Sequence, residues 1–483
     1  MSVATLPEVA ALAPAATLAF TAFVVLVADA VDPDADSGDL LAVVSTVGAL
    51  VALTITLWYL LAGTGQPPRG GPIVLFDGQL IVDGMTLFVT AIVASVTMLV
   101  ALASRDYLAD HPYRAEVYSL TLLSATGMAT VAAANSFVVA FVSIELISLP
   151  SYALVASLKS NRGSVEAGLK YFLVGALSSA ILAYGISLIY VTTGTLTFED
   201  VNAAVASTDT LTGGAPLLGL GIVLILGGFA FKIAAVPFHF WAPEAYEGAP
   251  APVSAFLSSA SKAAGFVITF RVFGDVFPQA GAVAEAIDWV LAVQVIAIAT
   301  MFVANFAALR QEKVKRMLAY SSIGHAGFVL IALAALTGTP DKSFALGSGL
   351  AHLLVYGFMN TGAFLFVGLA EYWGIGRRIE DYNGLATQAP LACVAMTICL
   401  YSLAGLPVGA GFLSKFYLLW VSLDGGVVLL GVALVVNSVV SVYYYTRIVR
   451  AMWVEDPDDS LAIEQYPTGL YAALVLAALL TVL

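Results

Sequence analysis

Runs of about 20 predominantly apolar residues recur from one end of this 483-residue chain to the other, and each is long enough to cross a hydrocarbon core of roughly 30 Å as a helix. With 60% hydrophobic and only 11% charged residues, the chain lacks the polar surface needed to enclose those runs in a soluble globule. The expected fold class is all-α, a polytopic membrane protein. Between Gly, Pro and charge punctuation the apolar windows fall at 7–29, 40–62, 83–104, 115–134, 136–158, 166–193, 217–241, 252–274, 283–308, 317–337, 343–370, 390–421, 426–450 and 467–483, fourteen in all. The opening segment MSVATLPEVAALAPAATLAF has no basic n-region and too long an apolar stretch for a signal peptide, so it reads as a retained first span.

Composition excludes several chemistries. Cys393 and Cys399 lie in one apolar run and supply neither a disulfide framework nor an iron–sulfur spacing. His111, His239, His325 and His352 are scattered singly rather than in a metal-ligand pattern, and no GxGxxG, Walker A or HExxH context occurs. No cofactor or metal is expected on this chain, and no nucleic acid partner; redox chemistry belongs to a partner chain. The net charge of −13 is concentrated in loops such as VDPDADSGD (31–39) and VEDPDDS (454–460), a pattern of adaptation to high salt or of a solvated face.

The basic residues give an orientation. Arg105 and Arg114, Lys159 and Arg162, Arg310 to Arg316, Arg377 and Arg378, and Arg447 and Arg450 all fall in loops on one side, whereas the other side receives Arg69, Lys342 and Arg271. The positive-inside rule then puts both termini outside the cytoplasm of a multi-pass cell-membrane protein.

Lys170, Lys232, Lys262, Lys415 and Glu145 remain, deep inside apolar windows. Each costs roughly 2.5 to 3.5 kcal/mol at a helix centre. A single lysine can snorkel to the interface, but these positions repeat. Glu145 and His325 are 180 residues apart, Lys170 and His352 are 182 apart, and Lys232 and Lys415 are 183 apart. SIEL (143–146) matches SIGH (322–325), and a glycine follows Lys170 and His352 by five residues. The offset predicts two five-helix repeats, 115–274 and 275–452, after three helices in 1–114 and before a last helix in 453–483. A five-helix unit crosses the membrane an odd number of times, so its copy is inverted. Lys262 has no counterpart lysine; Tyr443 to Tyr445 stand at the matching place.

Two windows carry breaks. Pro237, in FKIAAVPFHFW, and Pro407, in GLPVGAG (405–411), interrupt the seventh and twelfth helices, and freed carbonyls in a bilayer must face water or a polar partner. A proton carrier in such a place needs a group whose charged and neutral forms lie close in free energy, and burial of an amine balanced by a nearby carboxylate meets that need. Movement of Glu145 relative to Lys232 would switch the lysine between holding and releasing a proton. His325 and His352 titrate near neutrality when unperturbed and are suited to passing protons between lysines. His239 is expected at the membrane boundary beside Trp241 and His111 in a loop, neither with a role.

The segments FKIAAVPFHFWAPEAYEGAPAPVSAFLSSASKAAGF (231–266), VKRMLAYSSIGHAGF (314–328) and GLPVGAGFLSKFYL (405–418) resemble the antiporter-like membrane subunits of respiratory complex I, with YEGAP (246–250) and Lys415 closest to the subunit N branch. The resemblance covers windows 3 to 13. It implies a proton-translocating subunit of a complex I-like NADH:quinone oxidoreductase, with FMN, iron–sulfur clusters and quinone in partner subunits. It also implies an ion pair between Glu145 and Lys232, a polar axis through Lys262 and His325 to Lys415, and further relay positions at Lys170 and His352. A subunit of a multisubunit sodium/proton antiporter, or a scaffold whose charges only lock helices together, would use the same residues.

Overall fold

The computed structural model describes residues 8–31, 38–67, 70–158, 162–206, 211–407, 409–457, 463 and 465–482. Arg69, Lys159 and much of both acidic loops lie outside them. In chain order the helices are α1 (Ala13–Val31), α2 (Gly38–Ala62), α3 (Gly84–Tyr107), α4 (Arg114–Ala132), α5 (Phe137–Val155), α6 (Arg162–Thr193), α7 (Phe198–Ala204), α8 (Gly214–Lys232) and α9 (Trp241–Gly248). They continue as α10 (Ala251–Arg271), α11 (Gly281–Ala286), α12 (Trp289–Leu309), α13 (Val314–Ala335), α14 (Lys342–Tyr372), α15 (Pro390–Ala404), α16 (Ala410–Asp424), α17 (Val428–Trp453) and α18 (Thr468–Val482). A small antiparallel hairpin, β1 (Ile73–Leu75) with β2 (Leu80–Val82), precedes α3.

Eleven helices among the described residues are long and apolar enough to span a membrane, fewer than the fourteen windows. The difference has a local cause in each case. Arg114 and Glu116 in the first turn, with serines and threonines along it, dilute the hydropathy of α4, the window 390–421 is two helices rather than one, and α18 has only 15 residues.

Helix starts follow ordinary capping chemistry. Asp83, Ser136, Asp288 and Asp341 each accept a bond from the backbone amide three residues on, opening α3, α5, α12 and α14. Asp83 also receives both terminal nitrogens of Arg271, at 2.7 and 3.0 Å, which ties the start of α3 to the end of α10. Burial alone would raise the Asp83 carboxyl; the guanidinium and the Thr86 bonds overcome that and hold it below the usual carboxylate range.

Basic residues gather at one end of the bundle. Lys313 pairs with Glu247 and bridges to Arg378, while Arg447 donates to the carbonyls of Leu309 and Gln311, both at 3.0 Å. Lys315, read from sequence as a loop residue, is buried there, bonded to the Ala249 carbonyl at 2.7 Å and paired with Glu371 at 3.1 Å.

The helices differ sharply in what surrounds them. The candidate span containing α10 is wholly buried, and α13 and α14 nearly so, whereas α1, α2 and α6 turn most of their surface outward. Polar side chains on α10, α13 and α14 are therefore held away from lipid by protein on every side, the arrangement that makes ionisable groups tolerable at membrane depth.

Candidate functional site

The first break follows directly from its sequence. α8 stops at Lys232, Ala234 takes a left-handed φ of 58°, and the chain does not resume helix until Trp241. Carbonyls at the end of α8 find partners within the break: Ala235 N reaches Ala230 O at 2.8 Å, and Trp241 Nε1 reaches Phe231 O at 3.1 Å. His239, expected at the membrane boundary, sits in this break with its Nδ1 buried and unbonded.

Lys232 is 5% exposed. Its amine donates to Ser148 Oγ at 3.0 Å, and no ion pair within 4.0 Å joins it to Glu145, although the family resemblance implied one. Ser148 lies one turn along α5 from Glu145, which is itself bonded by the Ser179 hydroxyl. The serine thus stands where direct contact was expected, leaving the carboxylate within electrostatic reach of the amine. The stem of Lys232 packs over Gly265 of α10, where an added Cβ would stand 3.2 Å from Lys232 Cγ. A side chain at 265 would crowd Ile233 first, with its Cγ2 at 2.9 Å, and then the Lys232 stem.

Lys262, one turn before Gly265, is wholly enclosed. Its amine donates to the Ser322 carbonyl at 2.5 Å and to Ser322 Oγ at 2.6 Å. Tyr356 donates to the same hydroxyl at 2.7 Å. Ser322 is one turn before His325 on α13, and the His325 and Tyr356 rings approach to 5.0 Å. His325 Nδ1 and His352 Nε2 lie 3.0 Å apart, so one ring donates to the other, and His352 Nδ1 meets Ser414 Oγ at 3.0 Å. Two neutral imidazoles in such a pair can exchange a proton by swapping tautomers.

The second break is built around Lys415, next to Ser414. α15 ends at Ala404, and Gly405 takes a φ of 86°, a conformation open to glycine. The freed carbonyls of Leu403 and Ala404 accept from Lys415 Nζ at 2.8 and 3.0 Å. An amine at a helix C-terminus also meets the negative end of the helix dipole. Its third partner is Ser438 Oγ on α17, at 3.2 Å.

The structure therefore brings half-buried Glu145 and buried Lys232, Lys262, His325, His352 and Lys415 into one polar series. It does not include Lys170. That residue was expected deep in the sixth window, but α6 begins at Arg162 and is 32 residues long, so Lys170 lies near its basic end. Its side chain is 48% exposed and pairs with Glu166 at 2.7 Å and Glu244 at 2.6 Å, on the rim of a surface cavity of about 300 Å³. Ser148, Ser322, Tyr356 and Ser414 were missed by sequence reading. Their signal was spacing: each is next to, or one turn from, a titratable residue already singled out.

Comparison with known proteins identifies the family. The family described as NADH:quinone oxidoreductase/Mrp antiporter, TM, matches residues 134–441. The NADH-quinone oxidoreductase subunit N of Methylobacterium nodulans is 39% identical over 440 residues, 91% of this chain and 87% of the relative. The F(420)H(2) dehydrogenase subunit N of Methanosarcina mazei is 34% identical, covering 97% and 94%. Among solved structures, a chain of respiratory complex I from Thermus thermophilus with bound aureothin superposes with a TM-score of 0.77 at 29% identity, over 97% and 96% of the two chains.

Proposed function

The chain belongs to the membrane subunits of the NADH:quinone oxidoreductase/Mrp antiporter family, and from that membership we propose that it translocates protons within a complex I-like assembly, driven by electron transfer in other subunits. The observation that carries the reading is the series Glu145–Ser148–Lys232, Lys262–Ser322–Tyr356 and His325–His352–Ser414–Lys415, whose middle members lie on α10, α13 and α14, the helices most enclosed by protein. No bond to carbon is made or broken on this chain. Each amine holds a proton for a time, and the hydroxyls and imidazoles between them accept on one side while releasing on the other. Four intervals, Glu145 to Ser148, Lys232 to Lys262, Ser322 to His325 and Ser414 to Lys415, have no direct side-chain hydrogen bond among the described residues and are the places for bridging water.

FMN, iron–sulfur clusters and quinone belong to partner subunits in this reading, and the electron donor is set by them. Relatives carry both NADH-quinone and F(420)H(2) dehydrogenase names. With the basic end of the bundle facing the cytoplasm of a plasma membrane, both termini lie outside it. The acidic loops suit a high-salt medium. The halves 115–274 and 275–452 act as inverted repeats, each contributing one broken helix.

The test is the Lys232→Ala variant in the assembled complex, reconstituted in sealed vesicles, with protons counted per electron. The reading expects quinone reduction to continue while the ratio falls. An unchanged ratio overturns it, and so does sodium-driven proton movement by the isolated chain without electron transfer.

A further inference from the structure

At the basic end of the bundle, away from the buried axis, the cavity of about 300 Å³ beside Lys170 is lined by charges of both signs. Lys170, Lys313, Arg316 and Arg377 face Glu166, Glu244 and Glu247 there, so one positive charge is in excess, in a chain whose net charge is −13. We propose that this cavity seats the phosphoglycerol headgroup of a membrane lipid whose acyl chains lie along α6. The inference does not depend on proton movement through the axis.

All but one of these charges are matched. Lys170 pairs with Glu166 at 2.7 Å and Glu244 at 2.6 Å, and Glu247 takes Lys313 at 2.5 Å and Arg316 at 3.0 Å. Arg377 is exposed and forms no ion pair within 4.0 Å among the described residues. Its backbone is nonetheless fixed. The Arg377 carbonyl accepts from Val314 N at 3.0 Å, and two residues on Ile379 N donates to the Glu312 carbonyl at 2.9 Å. A guanidinium on a fixed backbone, with its donors unclaimed, suits the two-pronged recognition of a phosphate. Glu166 and Glu244 each give one oxygen to Lys170. Their second oxygens are acceptors for hydroxyls on the same headgroup.

The acyl chains have a place on the same helix. Val165, Leu169, Leu173 and Leu177 recur every four residues along α6 and are exposed, with Glu166 and Lys170 next to the first two. At 1.5 Å per residue the 32 residues of α6 span about 48 Å, against a hydrocarbon core of roughly 30 Å. Its first turns therefore stand at headgroup depth, and the apolar stripe descends from beside the cavity. Basic pockets between membrane helices are the places where anionic headgroups bind. A soluble phosphate compound would use the cavity and leave the stripe unused. Charge and donors then narrow the headgroup. The single excess positive charge matches a phosphodiester with one negative charge, and glycerol hydroxyls supply donors for the two carboxylates, whereas phosphoethanolamine is neutral overall. Phosphocholine carries a quaternary ammonium without N–H groups, which favours aromatic faces, and no aromatic residue is among those lining the cavity.

The experiment uses the assembled complex in phosphatidylcholine vesicles containing a minor fraction of phosphatidylglycerol with a photoactivatable group on one acyl chain, followed by peptide mapping of this subunit. Labelling is expected to concentrate on α6 between 165 and 177, and in Arg377→Gln to fall there about fivefold relative to the rest of the subunit. Arg377→Gln removes no ion pair, so assembly is expected to be unchanged, and Arg377→Lys, which keeps the charge, is expected to keep most of the labelling. Unchanged labelling in Arg377→Gln overturns the proposal. So does equal labelling of α6 by the matching phosphatidylcholine or phosphatidylethanolamine probe, which would mean that the headgroup is not read. Displacement of the probe by millimolar inorganic phosphate would make the cavity a site for soluble anions, and no labelling of α6 would mean that another subunit covers it; either result also overturns the proposal. Should Arg377→Gln fail to assemble, the comparison of the three probes on the unaltered complex carries the test. Protons are not counted, so failure of the relay reading leaves this outcome untouched.

Discussion

The two halves of the buried axis solve one problem with different chemistry. Around the first break, Lys232 rests on a single serine and has a carboxylate, Glu145, one turn beyond. Around the second, Lys415 is held by two backbone carbonyls and a serine, and the position corresponding to Glu145 is His325. The first amine therefore depends on a side chain that can move or change charge. The second depends on fixed dipoles at a severed helix end. The order along the chain differs too, since Lys232 precedes its break and Lys415 follows its own. One loosely held amine and one tightly held amine, joined through Lys262 and a histidine pair, make a series in which the first half is the more readily switched.

The comparison breaks most decisively at its junction. Lys262→Met removes the amine that both halves share, while the Ser322 hydroxyl keeps its bond from Tyr356. Loss of the subunit's whole share of pumped protons is expected, measured per electron in vesicles; a ratio equal to wild type would mean the halves work independently. Glu145→Gln acts on the first half alone. Because Ser148 intervenes, the Coulomb effect on Lys232 is weaker than in a direct pair, and a fall of roughly two- to tenfold in pumping rate is expected, restored by Glu145→Asp. An equal fall in the matched His325→Gln variant, with no difference in pH profile, would erase the distinction drawn between movable and fixed partners. Lys170→Ala has the smallest expected effect. Its pairs with Glu166 and Glu244 are exposed, so the proton ratio should stay at the wild-type value, and a loss as large as that of Lys262→Met would return Lys170 to the axis.

Much of this was legible in the chain before the fold was known. Apolar length fixed the class, two prolines located the breaks, and a charge costly to bury, three amines and one carboxylate, marked four of the six axis positions. What escaped has physical reasons. Lys170 was misplaced because α6 is longer than a bilayer requires, and periodicity cannot say which part of a long helix lies at depth. Lys315 looked like a loop residue because its partner, Glu371, lies 56 positions away and is brought to it only by tertiary packing. Ser148 and Ser322 went unread because serine is tolerated throughout membrane helices, and only a neighbouring amine gives one of them a role.

The central claim is that Glu145 and Lys415 are ends of one continuous wet corridor. A map of the assembled complex at a resolution that shows ordered water tests it most directly. The account predicts bonded waters across the four intervals that side chains leave open, Glu145 to Ser148, Lys232 to Lys262, Ser322 to His325 and Ser414 to Lys415. Dry intervals filled by aliphatic side chains, with Lys232 and Lys415 each opening separately to the membrane surface, would contradict it.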